Sequence, residues 1–333
     1  MKTILRRTPT LTSNLKPGIR NNRVPRITIH RSLATMTTGN FRYLDPATLG
    51  AAGSKPWAKV DTDVTSFSRT ERRRSVANIR DAGEAFGTDV SGFAVYNSPA
   101  TEKDFTDDAA VRGGYYAEVE ALLREKLPGV RKVVIFDHTI RRREKDSPRQ
   151  PVQQVHVDQT PGAAAVRVRR HVPGDEAEEL LKGRYQIINV WRPIGHPASD
   201  FPLAVVDWRT TEPKDLIAVD LLYPQRKDAD DDDRGKEVLP DPTLAQSTEG
   251  YDVKGETYSV APGDKHKLYY AKDMTPDEAM FIKCFDSRSQ GQPGGKPGLA
   301  DYTPHTAFID PNTTADAKGR QSIEVHCLVF YDQ

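Results

Sequence analysis

Cysteine is scarce in this chain: Cys284 and Cys327 are the only two among 333 residues. So few thiols exclude a disulfide framework and favour a reducing compartment, and both fall in runs that read as buried strands, where a free cysteine acts as a small apolar side chain. A Cys284–Cys327 bond is the one covalent alternative. A dominant charge is also missing, since 48 Lys and Arg face 47 Asp and Glu for a formal net charge of +1. That balance gives no reason to expect a nucleic-acid partner. No apolar run approaches the roughly 20 residues that a membrane span needs. No internal repeat is evident. These absences predict a soluble protein that works on something small, and they leave its oligomeric state open.

Acidic residues are absent from the first 44 positions, which hold Lys2, Arg6, Arg7, Lys16, Arg20, Arg23, Arg26, Arg31 and Arg42 among many serines and threonines. That composition suits a mitochondrial transit peptide. Pro9, Pro17 and Pro25 interrupt any long amphipathic helix, and Met36 offers a second start, so a disordered leader in a cytoplasmic protein is the expectation placed first, with mitochondrial import as the alternative. Residues 1–40 are therefore read as a basic leader. Residues 41–333 are read as a single domain, long enough to bury a substantial core.

Within that domain the pattern is mainly strand. Short apolar runs with turn signals occur at residues 92–96, 132–136, 152–158, 184–191, 203–207, 257–260, 267–270 and 322–330, with a Pro-Gly turn at Pro161-Gly162. One clear helix is expected at 109–127, where Tyr116, Val119, Leu122, Leu123 and Leu127 recur near helical spacing before Pro128-Gly129. Many short strands with flanking helices predict a mainly β jelly roll rather than a βαβ fold. Five aspartates in the six positions from Asp228 to Asp233 read as a hydrated loop, because they lack the glycine and terminal glutamate of a calcium loop.

The chemistry is carried by few residues. His156 and Asp158 are two apart in a strand-like run and so share a face, offering one imidazole and one carboxylate to a single ion. His305 is the candidate third ligand. Two histidines and one carboxylate on one face of an octahedron leave the other face open, which suits non-heme Fe(II) oxygenases. Arg320 and Ser322 repeat the i, i+2 spacing at the start of another strand. A planar guanidinium and a hydroxyl suit the far carboxylate of 2-oxoglutarate, whose near end would chelate iron. An ion pair of Arg320 with Glu324 is the bland alternative. Asn189 and Trp191 share a strand face and are candidate pocket residues. Asn189 and Arg192 are also assigned to cofactor binding, with Arg192 reaching either a substrate acid or a structural carboxylate; Phe93 and Tyr116 are assigned to the apolar wall, and His138 to the cleft or to the core as a satisfied histidine. The Gly/Pro-rich stretch 286–304, which runs into His305, is expected to act as a lid.

Ordered blocks extend the argument. Val134-Ile135-Phe136-Asp137-His138-Thr139-Ile140-Arg141-Arg142, His156-Val157-Asp158-Gln159-Thr160, Arg184 to Pro193, Pro202 to Asp207, Pro304-His305-Thr306-Ala307-Phe308 and Arg320 to Val325 together resemble the fungal gibberellin-desaturase-like, asaB-type (CmcJ/NvfI-like) family of Fe(II)/2-oxoglutarate-dependent oxygenases. The resemblance covers nearly everything from about residue 42 onward. It implies a double-stranded β-helix of the cupin-like kind, iron on His156, Asp158 and His305, and 2-oxoglutarate on Arg320 and Ser322. Dioxygen would be the second co-substrate, and a small specialised metabolite the target of hydroxylation, desaturation or a related oxidation. Members of that family often carry arginine where this chain has His326, which leaves that position open. Two other classes stay in play: a zinc hydrolase using the same three ligands, and a non-catalytic β-barrel binding protein.

Overall fold

Alternation along one strand shows how the layers arise. In Gln321–Tyr331, Ile323, Val325, Cys327 and Val329 pack to one side, while Leu328 and Phe330 pack to the other. By the same two-residue period, Ser322, Glu324 and His326 continue the face of Leu328 and Phe330, so one surface passes from apolar core to polar site.

The computed structural model describes residues 35–51, 54–60, 62–83, 85–144, 150–225 and 246–332. Its strands are β1 (Met36–Leu44), β2 (Trp57–Lys59), β3 (Arg69–Asn78), β4 (Phe93–Asn97), β5 (Val130–Arg142), β6 (His156–Val157) and β7 (Tyr185–Pro193). They continue with β8 (Leu203–Val206), β9 (Leu216–Pro224), β10 (Tyr251–Val260), β11 (Leu268–Tyr270), β12 (Glu278–Asp286), β13 (His305–Ala307) and β14 (Gln321–Tyr331). One sheet has nine strands in the order β1-β3-β11-β8-β13-β6-β10-β9-β2, and the other has five in the order β4-β12-β7-β14-β5. Mainly β with few helices is therefore the architecture.

The principal core joins the sheets: Val205 and Tyr269 of the large sheet meet Ile187, Trp191, Ile282 and Leu328 of the small one. The far side of the small sheet is covered by a helix, through Val119, Leu122 and Leu123. This helix opens at Asp108–Ala110, passes through a π-turn at Val111–Tyr115 that contains Gly113 and Gly114, and continues as Tyr116–Lys126. It is the helix that the spacing predicts, with a π-turn that the spacing does not reveal. On the large sheet, Phe41 and Tyr43 of β1 pack with Val155, Val206 and Leu268, and the Val155 amide donates to the Arg42 carbonyl at 2.9 Å.

Several expectations need correction. The strand expected at 152–158 is reduced to His156–Val157, because its preceding residues make single hydrogen bonds to separate neighbours: Ala307 N to the Val152 carbonyl and Val155 N to the Arg42 carbonyl. The expected Pro-Gly turn is instead the start of a helix, Pro161–His171, capped by Thr160, whose hydroxyl accepts from Ala163 N at 3.2 Å. Proline fits the first helical turn, where its missing N–H has no partner to lose. A second helix, Gly174–Lys182, follows. Together they bury Ala164, Val168, Ala177 and Leu180 in the principal core. β1 begins at Met36, inside the segment read as leader, and pairs with β3 along its whole length. The aspartate run 228–233 and residues 1–34 lie outside the described residues.

The stretch 286–304 is a braced arm rather than a free lid. The Ser289 hydroxyl donates to Asp301 at 2.5 Å, and Leu299 to Thr303 are buried. Beneath it the fully buried Lys283 donates to Asp89, Asp286 and the Ala300 carbonyl at 2.8, 2.8 and 3.0 Å. A lysine so placed tolerates burial because carboxylates and a carbonyl take all three of its donors.

Candidate metal centre

Strand pairing brings the sequence-distant histidines together. β13 lies antiparallel to β6, with His305 directly opposite His156. Their rings are 4.5 Å apart between centroids. Asp158 follows β6 and turns Oδ1 toward both, 3.2 Å from His156 Nε2 and 3.8 Å from His305 Nε2. The three side chains thus present ligand atoms close enough to share one ion.

The ring tautomers are decided by the backbone. His156 Nδ1 lies 2.7 Å from the Gln154 carbonyl and His305 Nδ1 lies 3.0 Å from the Thr303 carbonyl. A carbonyl only accepts, so each Nδ1 carries its hydrogen and each neutral ring keeps a lone pair on Nε2, facing Asp158. Burial disfavours the charged form of Asp158, but the His156 hydrogen bond and the neighbouring His305 outweigh it and hold this carboxyl well below the usual range. Burial also opposes charge on His156, yet its bond to Asp158 raises it, while burial and His156 lower His305. The proton by which His156 Nε2 bonds Asp158 is the one a metal would displace, leaving a negative carboxylate and two imidazole lone pairs, the donor set that borderline divalent metals prefer.

Opposite this group, on β7, Asn189 Nδ2 donates to Asp158 Oδ2 at 2.5 Å and to Glu324 Oε1 at 2.9 Å. The Cys284 thiol lies 3.7 Å from the same Asp158 oxygen. Cys284 and Cys327 are both free and buried. Two carboxylates thus take both hydrogens of the Asn189 amide, while its Oδ1 is buried with no partner among the described residues. Glu324 therefore holds Asn189, and among the described residues it makes no ion pair with Arg320.

Arg320 immediately precedes β14 and is 3 % exposed. Its Nη1 donates to the Phe201 carbonyl at 2.8 Å, and its guanidinium lies 5.6 Å from the Trp191 ring. Its Nε is buried with no partner. No carboxylate among the described residues forms an ion pair with it. Burial, reinforced by Arg141, pushes its pKa down to about 9. Phe201, whose carbonyl meets Arg320, sits at a φ of 44°, an uncommon backbone conformation for a residue with a side chain. Ser322 is buried and pairs with Arg141 across β5 and with Pro193 across β7. Arg141 is a neighbour that sequence reading missed. Glu324 and His326 were legible as continuing the face of Ser322, at i+2 and i+4.

Four residues considered for the site lie elsewhere, His138 among them in the buried, hydrogen-bonded setting of a core histidine. Arg192 points to the helix side of the small sheet, donating to Tyr115 Oη at 3.0 Å and to the Pro276 carbonyl at 2.6 Å. That is the side of Val190, opposite Asn189, and no carboxylate among the described residues pairs with it. His138 stands opposite the outward-facing Val325, and its Nδ1 is 2.8 Å from Tyr116 Oη; the two form a pair beneath the covering helix, away from Asp158. Phe93 is fully buried, stacked on Phe86 at 5.1 Å, and is core. Trp191 stays with Arg320 as the floor of the candidate site.

His326 is linked to the helix Pro161–His171 by a stack: its ring is 5.8 Å from Phe136, which is 5.0 Å from His171 and has Arg167 5.2 Å above it. Burial, Arg167 and Arg170 push His171 from its ordinary 6.5 down to about 4. In this pH window the unfolded chain takes up a proton that the folded one refuses, so stability is lost as the pH falls from about 6.5 toward 4. Urea unfolding should therefore show His171→Phe losing about 1 kcal/mol less than the parent between pH 7 and pH 4.5, the figure being discounted for partial exposure. Equal losses would remove His171 as the cause.

Two imidazoles and a carboxylate converging between two β-sheets, beside a buried guanidinium that makes no ion pair among the described residues, define a candidate non-heme metal enzyme of the 2-His-1-carboxylate class. The chain matches the family described as Oxidoreductase/YMDC permease-like domain over residues 41–330. Among the described residues no helix is long and apolar enough to cross a membrane. It is 31 % identical over 273 residues to hydroxylase/desaturase efuI of Hormonema carpetanum, covering 77 % of this chain and 83 % of that one. It is likewise 31 % identical to the Fe(II)/2-oxoglutarate-dependent dioxygenase nvfI of Aspergillus novofumigatus, covering 80 % and 85 %. A solved structure of the iron and alpha-ketoglutarate-dependent endoperoxidase NvfI superposes with a TM-score of 0.69 at 26 % identity, over 90 % of this chain and 99 % of that one. The chain belongs to this fungal asaB/NvfI-type family of hydroxylase/desaturases and Fe(II)/2-oxoglutarate-dependent dioxygenases.

Proposed function

We propose that the protein is an Fe(II)/2-oxoglutarate-dependent oxygenase of small specialised metabolites, with His156 Nε2, His305 Nε2 and Asp158 Oδ1 as iron ligands and Arg320 with Ser322 as the anchor for the distal carboxylate of 2-oxoglutarate. The two sheets are then the halves of a double-stranded β-helix, forming one oxygenase domain. The observation that carries the reading is Arg320: a buried guanidinium on the same side as the imidazole–carboxylate group, with an orphaned Nε and no counter-ion among the described residues. A cation kept in that state costs stability unless an anion joins it. The donor set also fits the metal, because both imidazoles present Nε2 and the carboxylate is held ionised.

Bound iron would supply activation of dioxygen coupled to decarboxylation of 2-oxoglutarate to succinate and carbon dioxide, with oxidation of a C–H bond of the substrate. The residues of this chain do the positioning. The Gln154 and Thr303 carbonyls fix the imidazoles, Asn189 fixes the carboxylate, and Arg320 over Trp191 sets the far end of the co-substrate. The apolar core behind Trp191 limits the access of water.

Anaerobically purified protein given Fe(II), ascorbate, 2-oxoglutarate and air should release succinate, slowly alone and faster with an accepted substrate. Zinc-dependent hydrolysis without succinate would replace this reading by that of a hydrolase. Failure to retain any metal would leave only a binding protein.

A further inference from the structure

Resting on the iron reading above, we propose that Asn189, held in place by Glu324, is a positioning residue that restricts Asp158 to ligation through a single oxygen.

Coordination arithmetic makes this matter. Two imidazoles and one carboxylate oxygen leave half of an octahedron open, enough for a chelating keto acid and dioxygen together. A carboxylate bound through both oxygens would take one of those positions.

The structure distinguishes the two oxygens of Asp158. Oδ1 faces both histidine Nε2 atoms, at 3.2 and 3.8 Å. Oδ2 accepts from Asn189 Nδ2 at 2.5 Å, with the Cys284 thiol at 3.7 Å. With Oδ2 turned to the Asn189 amide, the carboxylate plane is set so that Oδ1 is the oxygen aimed between the two histidine nitrogens. Glu324 Oε1 accepts the second hydrogen of the same amide at 2.9 Å. Interchanging the amide oxygen and nitrogen would set an acceptor 2.5 Å from a carboxylate oxygen, so the neighbours decide its orientation.

Asn189 is 1 % exposed and sits in the middle of β7, paired with His326 of β14 and Ile282 of β12. Its backbone is thus fixed by strands on both sides. The same geometry explains why Asp158, Glu324 and His326, also close enough to hold an ion, read better as a hydrogen-bonded bracket: the Asn189 amide already occupies one oxygen of each carboxylate.

The test separates metal from co-substrate. Anaerobic titration should show Asn189→Ala binding Fe(II) or Mn(II) at least as well as the parent, because a second oxygen of Asp158 becomes available. Its affinity for 2-oxoglutarate should fall about tenfold or more, with a weakened visible charge-transfer band for the Fe(II) chelate. Glu324→Gln keeps an acceptor for the amide and should behave like the parent. Glu324→Met lets the amide turn and should reproduce the split more weakly, which keeps the idea testable if the alanine variant folds poorly. Unchanged 2-oxoglutarate affinity in both Asn189→Ala and Glu324→Met would overturn the proposal, as would metal and co-substrate affinities falling together. A parent protein with no metal-dependent binding of 2-oxoglutarate would instead overturn the iron reading, and this proposal with it.

Discussion

His156→Ala is expected to lose retained iron and to abolish succinate release, by more than about a thousandfold, while the chain stays folded. The ring is partly exposed and contributes to none of the apolar clusters. Its contacts are the Gln154 carbonyl, Asp158 and the face of His305. Removing it subtracts one of three ligands from a site that has few to lose, and outer-shell changes alone commonly cost 10–100-fold in such sites. It also leaves Asp158 without its nearest partner for charge. Metal analysis after gel filtration, together with succinate assay, gives the check. A variant that keeps stoichiometric iron and turns over would remove His156 from the centre. Soaking in imidazole should restore part of the metal binding if the cavity left by the ring stays open.

What could be read beforehand follows from physical range. The His156/Asp158 pair is a local feature: a two-residue period puts both on one face whatever the rest of the fold does. Asn189 and Trp191 were legible for the same reason, and the alternation that joined them also put Arg192 with Val190, on the side where the structure places it. The error lay in giving a site role to a residue whose own period pointed away. Which side of a sheet faces the partner sheet is a long-range property, so the Tyr116–His138 pair could be placed only once β5 was seen to lie against the covering helix. β6 has two residues and β13 three, too few to show any period, and yet their pairing creates the centre. The helices after Thr160 were within reach. A capping threonine followed by proline and a run of alanines is a helix start, and reading Pro-Gly as a stop overruled it.

Arg320→Met carries the second large expected effect, and its direction differs with and without ligand. In the ligand-free protein the guanidinium has burial and Arg141 against it, with one carbonyl bond to Phe201 and the face of Trp191 in its favour. Replacing such a cation with an apolar side chain of similar length leaves stability unchanged or raises it, since no buried counter-charge is stranded among the described residues. With 2-oxoglutarate the balance reverses. Losing a charge-assisted pair to a carboxylate costs about 2 kcal/mol or more, roughly a 30-fold weaker affinity. Iron should remain bound, because His156, Asp158 and His305 make no contact with the guanidinium. Thermal melting with Mn(II) shows both halves at once: 2-oxoglutarate should raise the Tm of the parent and raise that of the variant far less, from a starting Tm no lower than the parent's. Arg320→Lys keeps a charge but not the planar fork, so its affinity should fall between the two. Equal stabilisation of parent and Arg320→Met by 2-oxoglutarate would place the anchor elsewhere. Arg141, across the β5–β14 ladder from Ser322, would then be the residue to replace next.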